Sequence, residues 1–274
     1  MKKTIFQNRD DFNMIGPGLS IVAAAIVVFI ALPVVFTVVY SFNPSAYFGF
    51  SLDRLSLRWY FNLFSLDYFR HAFVVSLGLA ACVMPLATLF GMGAAYALAR
   101  ADFKGKALLN TLVLSPIVVP GIITGMALLS LFSIVGLDWS FGKLVIAMTI
   151  CTVAYPIRTI TANLHGLSPH VEEAAINMGA GRWTTFWRIV LPQIGPGILS
   201  GCIFIFTMVL EDVSIVIFLV DMHTNTLALE AMNYMRTMDD PTIAAMSTML
   251  IVITLLLALL IEKFIGIGKF MSLD

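Results

Sequence analysis

Residues 172–192 read EEAAINMGAGRWTTFWRIVLP, a polar segment between two long apolar runs, residues 141–160 and 194–220. The segment carries two glutamates, two arginines and two glycines, whereas the flanking runs contain few charged residues. Charged side chains are costly to place in hydrocarbon, so this segment is expected to lie in water. It therefore marks a loop at which the chain leaves an apolar environment and returns to it.

The composition of the chain places it in the class of integral membrane proteins. Of its 274 residues, 59% are hydrophobic and 12% are charged, and the mean hydropathy is +0.95. Soluble domains have about a quarter of their residues charged. The apolar runs lack the alternation of a membrane β-barrel strand. The sequence therefore predicts an all-α integral membrane protein.

Six transmembrane helices are predicted, because about 20 apolar residues cross a hydrocarbon core of about 30 Å. They cover residues 15–42, 71–99, 108–135, 141–160, 194–220 and 242–261, within one transmembrane domain of residues 1–274. The first run is much longer than the apolar core of a signal peptide, so it is interpreted as a span.

The distribution of basic residues predicts the orientation. With the N-terminus in the cytoplasm, about eleven of the 16 Lys and Arg residues fall on the cytoplasmic side, as the positive-inside rule requires. Both termini and the loop of residues 164–192 are then cytoplasmic. The formal net charge is zero, which gives no indication of a nucleic-acid partner. The three cysteines fall inside predicted spans, and no metal site is predicted.

The polar loop is predicted to form a helix, a turn and a second short helix. Ser168 and Pro169 are typical of a helix start, and Glu172 and Glu173 suit its first turn. Gly179 is expected to end this helix, since glycine adopts the left-handed conformation of a C-terminal cap. A narrow apolar stripe runs along it: Val171, Ala174, Ala175 and Met178. Such a helix suits a groove on another protein, and the alternative is a helix lying on lipid headgroups.

The loop resembles the EAA loop of permease subunits from prokaryotic ATP-binding-cassette (ABC) importers. The matching positions are Glu173, Ala174, Ala175, Gly179, Ile189, Leu191 and Pro192. The resemblance implies the type I importer (MetI-like) permease architecture, with residues 164–192 as the loop that couples the spans to an ATPase subunit. It also implies that Glu173 and Gly179 are the positions most sensitive to mutation. A simple helix cap at Gly179 is compatible with that role.

Shorter segments resemble the permeases of polyamine (spermidine and putrescine) importers. They are SFNPS at Ser41, LRWYFNLF at Leu57, RADFKGKAL at Arg100, SPIVVPGI at Ser115 and LEDV at Leu210. The resemblance implies a bacterial inner-membrane complex with an ATPase dimer that binds ATP and Mg, a second permease subunit and an extracytoplasmic binding protein. This chain would bind no cofactor itself. Related permeases carry ferric iron, thiamine, amino acid-like amines or phosphonates, so these substrates remain alternatives to a polyamine.

Two features within the spans are candidates for the substrate path. Glu211 and Asp212 are carboxylates inside an apolar run, and we expect one to face the path and the other to pair with a neighbouring helix. The alternative is that both are structural. Pro120 and Gly121 weaken helical hydrogen bonding in the third span, which is tolerated beside protein or a water-filled cavity. A merely kinked packing helix is the alternative there.

The sequence contains no motif of a nucleotide-hydrolysing or proteolytic site, which favours a non-catalytic membrane subunit. A secondary transporter driven by an ion gradient through Glu211 or Asp212 is the main alternative, and an intramembrane enzyme would need facing catalytic groups that the sequence lacks. Residues 43–67 and 221–240 are expected on the outer side, where they either receive the binding protein or anchor the chain at the interface.

Overall fold

The computed structural model describes residues 17–45 and 55–265 of the chain. No β-strand occurs within these two ranges. The helices are α1 Pro17–Tyr40, α2 Arg58–Ser65, α3 Asp67–Arg100, α4 Lys106–Val118, α5 Gly121–Val135, α6 Ser140–Thr152, α7 Ala154–Gly166, α8 Pro169–Asn177, α9 Arg182–Thr185, α10 Leu191–Gln193, α11 Gly195–Glu211, α12 Leu227–Thr237 and α13 Thr242–Ile265. A π-helical stretch, Phe186–Val190, and a 3-10 turn, Val216–Phe218, complete the set.

Four helical segments of the described residues are long and apolar enough to cross a membrane: Ser20–Tyr40, Asp67–Arg100, Ser140–Gly166 and Thr242–Leu260. Two further pairs qualify when each bent pair is counted as one span. The chain bends by 106° between α4 and α5, and by 65° between residues 182–193 and α11. The predicted all-α membrane fold is therefore confirmed, with up to six spans.

The chain divides into two compact units, of which the first comprises residues 1–63 and 239–249. In its described part, a polar cluster follows the end of α1. The Ser41 hydroxyl lies 2.7 Å from the Tyr60 hydroxyl, and the Trp59 indole N–H donates to the carbonyl of Asn43 at 2.6 Å. The Asn62 amide donates to the Thr242 hydroxyl at 2.9 Å, which joins the start of α13 to α2.

The second unit comprises residues 64–238 and 250–274, and its centre is the packing of α3, α6, α7 and α11. Pro156 of α7 lies between two glycines, Gly91 of α3 and Gly201 of α11. A Cβ atom at either glycine would come within 2.9 Å of Pro156. Small residues at such crossings let helix backbones approach closely, which favours van der Waals packing between helices in a membrane.

Two helix limits differ from the predicted spans, and each has a local cause. The fourth span was expected to end near Pro156 and Ile160, but α7 begins at Ala154 and continues to Gly166. Pro156 therefore lies in the first turn of α7, where its missing N–H has no intrahelical partner to lose. The fifth span was expected to reach Val220, but α11 ends at Glu211.

Candidate functional site

The helix predicted at residues 168–179 is present as α8, Pro169–Asn177. Ser168 occupies the N-cap position with an extended backbone, but its side chain makes no capping hydrogen bond. At the other end Gly179 has φ +93°, its N–H donates to Ile176 O at 2.9 Å, and the N–H of Ala180 donates to Ala175 O at 3.0 Å. These two bonds form a complete Schellman motif, so the predicted role of Gly179 as a helix end is confirmed.

The outward side of α8 is not covered by the described part of the chain. Glu173 and Ala174 are exposed, Ala175 is half-buried, and Met178 is 88% exposed. The Glu173 carboxylate accepts a 3.0 Å contact from His170 Nδ1, and both side chains of this pair lie in solvent. Most of the stripe that the sequence predicted therefore remains open for another surface.

The inward side of α8 is attached to α3 through Glu172. This side chain is buried, with 9% of the residue exposed. One carboxylate oxygen accepts from Arg100 Nε at 2.7 Å, and the other accepts from the Tyr96 hydroxyl at 2.8 Å. Arg100 also donates through Nη2 to the carbonyl of Leu167 at 3.0 Å. The ion pair and its two supporting bonds fix α8 against the last turns of α3.

The local sequence does not indicate this attachment. Glu172 is predicted only as an acid in the first turn of a helix, and Glu173 is predicted as the functional member of the pair. The partners of Glu172 lie 72 and 76 residues earlier in the chain, so nothing near residue 172 indicates them. The one available signal is Arg100, which follows the predicted span of residues 71–99 and is expected on the same side of the membrane as Glu172.

The remaining residues of the motif connect α8 to α11. Ile189 and Leu191 are half-buried, and Pro192 is exposed in the short helix α10. Between them lies Val190, which is fully buried together with Ile194. These two residues belong to a small apolar core with residues of α3 and α7: Ala95, Ile160 and Leu164. The chain between α8 and α11 is thus packed against the helix bundle.

The third predicted span is broken at Val119 and Pro120, where the chain turns by 106°. Pro120 is the N-cap residue of α5, with φ −55° and ψ 130°, and Gly121 begins the helix. The first turns of α5 lie directly against the chain that follows α11. A Cβ atom at Gly121 would come within 2.9 Å of Ser214, and one at Gly125 within 3.0 Å of the Ile215 Cα. Two stretches of irregular backbone inside apolar segments therefore contact each other.

The carboxylates Glu211 and Asp212 come just before Ser214 and Ile215 in the chain, and their surroundings differ. Asp212 is half-buried, and its Oδ1 accepts the backbone N–H groups of Ile215 at 2.8 Å and Val216 at 3.4 Å. This local bonding competes with the helix and explains why α11 ends at Glu211. Asp212 therefore forms hydrogen bonds with the backbone a few residues after it. Within the described residues it forms no hydrogen bond with a neighbouring helix. Glu211 is exposed.

Comparison with known proteins agrees with this architecture. The family described as binding-protein-dependent transport system inner membrane component matches residues 87–266. The chain is 32% identical to the spermidine/putrescine transport system permease protein PotC of Haemophilus influenzae, over 85% of this chain and 90% of that protein. It is 34% identical to the putrescine transport system permease protein PotI of Escherichia coli (strain K12), over 81% and 82% respectively.

A solved structure has the same fold. It is the crystal structure of a bacterial ABC transporter involved in the import of the acidic polysaccharide alginate, with a TM-score of 0.68 over 90% of this chain and 94% of that one, at 17% identity. The family match covers most of the second unit, including α8 and α11. The chain therefore belongs to the family of inner membrane components of binding-protein-dependent transport systems, and it is a multi-pass membrane protein.

Proposed function

We propose that this chain is the non-catalytic permease subunit of an ABC importer and that α8 is its contact with the ATPase. The observation that carries this proposal is the two-sided character of α8. Its inner side is held to α3 by Glu172, whereas Glu173, Ala174 and Met178 on other sides stay uncovered. A helix that is fixed on one side and open on the other suits insertion into a groove of a partner protein.

The family match supports the partners that we propose for the importer. An ATPase dimer would hold ATP and Mg, because the sequence of this chain contains no phosphate-binding loop. A second permease subunit would complete the membrane path, and an extracytoplasmic binding protein would deliver the substrate. In the proposed complex, α8 and both termini lie on the cytoplasmic side. The excess of basic residues in those segments supports that orientation.

The substrate path is proposed to pass the contact between α5 and the chain after α11. Irregular backbone inside a membrane is tolerated beside protein or a water-filled cavity, and transporters commonly place binding sites at broken helices. Gly121, which follows Pro120, and Gly125 supply one side of this contact, and Ser214 and Ile215 supply the other. Glu211 and Asp212 come just before Ser214 in the chain. A carboxylate at the path favours a cationic substrate. The names of two similar permeases specify spermidine or putrescine, which supports a polyamine.

A pair of glycine variants tests the coupling role of α8. Gly179 has φ +93° and Gly181 has φ −67°, and a Cβ atom at either position would meet no atom within 4 Å. Gly179→Ala therefore introduces backbone strain of about 1–2 kcal/mol without a clash, whereas Gly181→Ala introduces neither. We expect Gly179→Ala to reduce binding-protein-stimulated ATPase activity of the assembled complex several-fold and Gly181→Ala to leave it near the wild-type level.

Both variants are measured in the complex with its ATPase and binding protein in proteoliposomes. Basal ATPase activity serves as the internal reference, since the ATPase itself is unchanged. Equal stimulation in the two variants would show that the end of α8 does not contribute to coupling. Uptake that continues after ATP depletion but stops when the ion gradient is collapsed would instead identify a secondary transporter.

A further inference from the structure

One face of α11 carries polar and aromatic side chains in a line. Ser200, Phe204, Thr207 and Glu211 follow each other at intervals of four, three and four residues. At about 100° per residue these positions fall within about 60° of arc, and they extend over about 16 Å of the helix axis. Ser200, Phe204 and Glu211 are exposed, and Thr207 is half-buried. The face is defined here as the α11 stripe.

The orientation of the α11 stripe is fixed by the packing on the other side of the helix. Gly197 and Gly201 lie against α7, where a Cβ atom at either glycine would come within 2.8 Å of α7 backbone atoms. The Thr159 hydroxyl donates to the carbonyl of Gly197 at 2.7 Å, which adds a specific bond to this contact. Because α11 cannot rotate without losing these contacts, the stripe remains outside the bundle core.

The chemistry of the stripe does not suit a lipid-facing surface. Glu211 forms no hydrogen bond or ion pair with any other residue in the described part of the chain. Ser200 satisfies its own donor by bonding to the carbonyl of Pro196 at 2.9 Å. Ionisable groups inside spans almost always face a bundle interior or a water-filled cavity. The stripe, which ends at Glu211, is therefore expected to face water or a polar partner.

An aromatic pair lies two turns away from Glu211 on the same face. Phe204 is 50% exposed and stacks on Tyr155 of α7, with ring centroids 5.7 Å apart and ring planes inclined by 13°. Phe204 is seven residues before Glu211, which separates the two positions by about 10 Å along the helix. The faces of aromatic rings attract organic cations, with a strength that rises when the cation has lost water.

From this arrangement we infer that Tyr155 and Phe204 form a second contact for a protonated amine, about 10 Å from Glu211 along the translocation path. The inference rests on the proposed function and deepens it. A carboxylate alone would hold a cation too firmly for release, whereas an aromatic platform attracts it without a full opposing charge. An elongated substrate with several ammonium groups can contact both positions at once. Ser200 and Thr207 offer hydroxyl groups along the same route.

A leucine substitution at Phe204 tests the aromatic contact, with the same substitution at Phe90 as the control. Phe90 is 60% exposed on α3 and lines an apolar cavity next to α6, away from the α11 stripe. In proteoliposomes containing the whole importer, we expect Phe204→Leu to lower uptake of a triamine about 3- to 10-fold and Phe204→Trp to retain it. Phe90→Leu should transport at the wild-type rate. Equal uptake by the two leucine variants would overturn the inference.

Binding-protein-stimulated ATPase activity separates this inference from the proposed function. If the amine stimulates the ATPase equally in wild type and in Phe204→Leu, the importer assignment stands. The aromatic contact is then tested by comparing amine uptake between these two proteins. If no amine stimulates wild-type ATPase, the amine substrate class fails together with this inference. The importer assignment is then tested by stimulation with other ligands of the binding protein.

Cysteine labelling tests the water-filled character of the stripe without depending on transport. In a variant in which Cys82, Cys151 and Cys202 are replaced, single cysteines are introduced by Ser200→Cys, Thr207→Cys and Phe90→Cys. We expect a charged, membrane-impermeant thiol reagent to label the first two in the assembled importer and not the third. Labelling of none of the stripe positions in any nucleotide state would overturn the inference.

Discussion

The contact between Glu172 and Arg100 predicts a measurable change in how firmly α8 is held to α3. In Glu172→Gln the side chain keeps its size but loses its charge, so the Arg100 guanidinium loses the opposite charge at 2.7 Å from its Nε. A glutamine side chain has one carbonyl oxygen, so only one of the two donors, Arg100 Nε or the Tyr96 hydroxyl, keeps an oxygen acceptor. The change therefore weakens all the bonds that converge on this carboxylate.

The size of the effect follows from the burial of the pair. The side chains of Arg100 and Glu172 are 16% and 11% exposed, so water screens their interaction only in part. Removing one member of a fully buried ion pair costs about 3–5 kcal/mol, and the residual exposure lowers this to about 2–3 kcal/mol here. Since about 1.4 kcal/mol corresponds to a factor of ten, the ratio of attached to detached α8 should fall about 30- to 150-fold.

Hydrogen exchange of the purified permease measures this detachment directly, in the absence of the ATPase. Backbone amides of α8 should exchange faster in Glu172→Gln, whereas those of α6, Ser140–Thr152, should not change. Glu173→Gln is the matched control, because Glu173 is the adjacent glutamate, but among the described residues it pairs only with the exposed His170. Exchange in α8 that is unchanged by Glu172→Gln, or equally increased by Glu173→Gln, would refute the attachment of α8 through Glu172.

Two further predictions concern stability. Gly201→Ala should lower the thermal unfolding midpoint in detergent, because the new Cβ would lie 2.8 Å from the Pro156 Cα. Overpacking of this kind costs about 1–3 kcal/mol. Gly93→Ala is the control: its Cβ would meet no atom within 4 Å, so the midpoint should not fall. Asp221 lies outside the predicted spans, and hydrogen bonds from Thr224, Ser140 and the His223 N–H lower its pKa to about 2. Because this pKa is depressed in the folded state, the carboxylate stabilises the protein above pH of about 4 and loses that contribution as the pH falls through about 2. The midpoint difference between wild type and Asp221→Asn should therefore shrink between pH 4 and pH 2, and a difference independent of pH over this range would contradict the assigned cause.

The parts of the site that the sequence predicted correctly are those with local causes. Pro169 and Gly179 act on the backbone within a few residues, so the limits of α8 follow from residue type alone. The end of α11 could not be predicted from the sequence. Hydropathy stays high from Val213 to Val220, so it does not distinguish a continuing helix from the turn that Asp212 caps. The attachment of Glu172 depends on residues more than 70 positions away, which no local pattern can indicate.

In the proposed coupling role, the two connections of α8 would let one short helix act on two parts of the membrane domain. Through Glu172 it is bonded to the end of α3, and through Val190 and Ile194 the following chain is packed against the same bundle before it enters α11. The far end of α11 is Glu211, next to the residues that contact Gly121 and Gly125 of α5. A force on α8 therefore has a packed route to the broken third span. Because close-packed helices move as units, a displacement at α8 is expected to change the spacing at this contact and with it the accessibility of the proposed path.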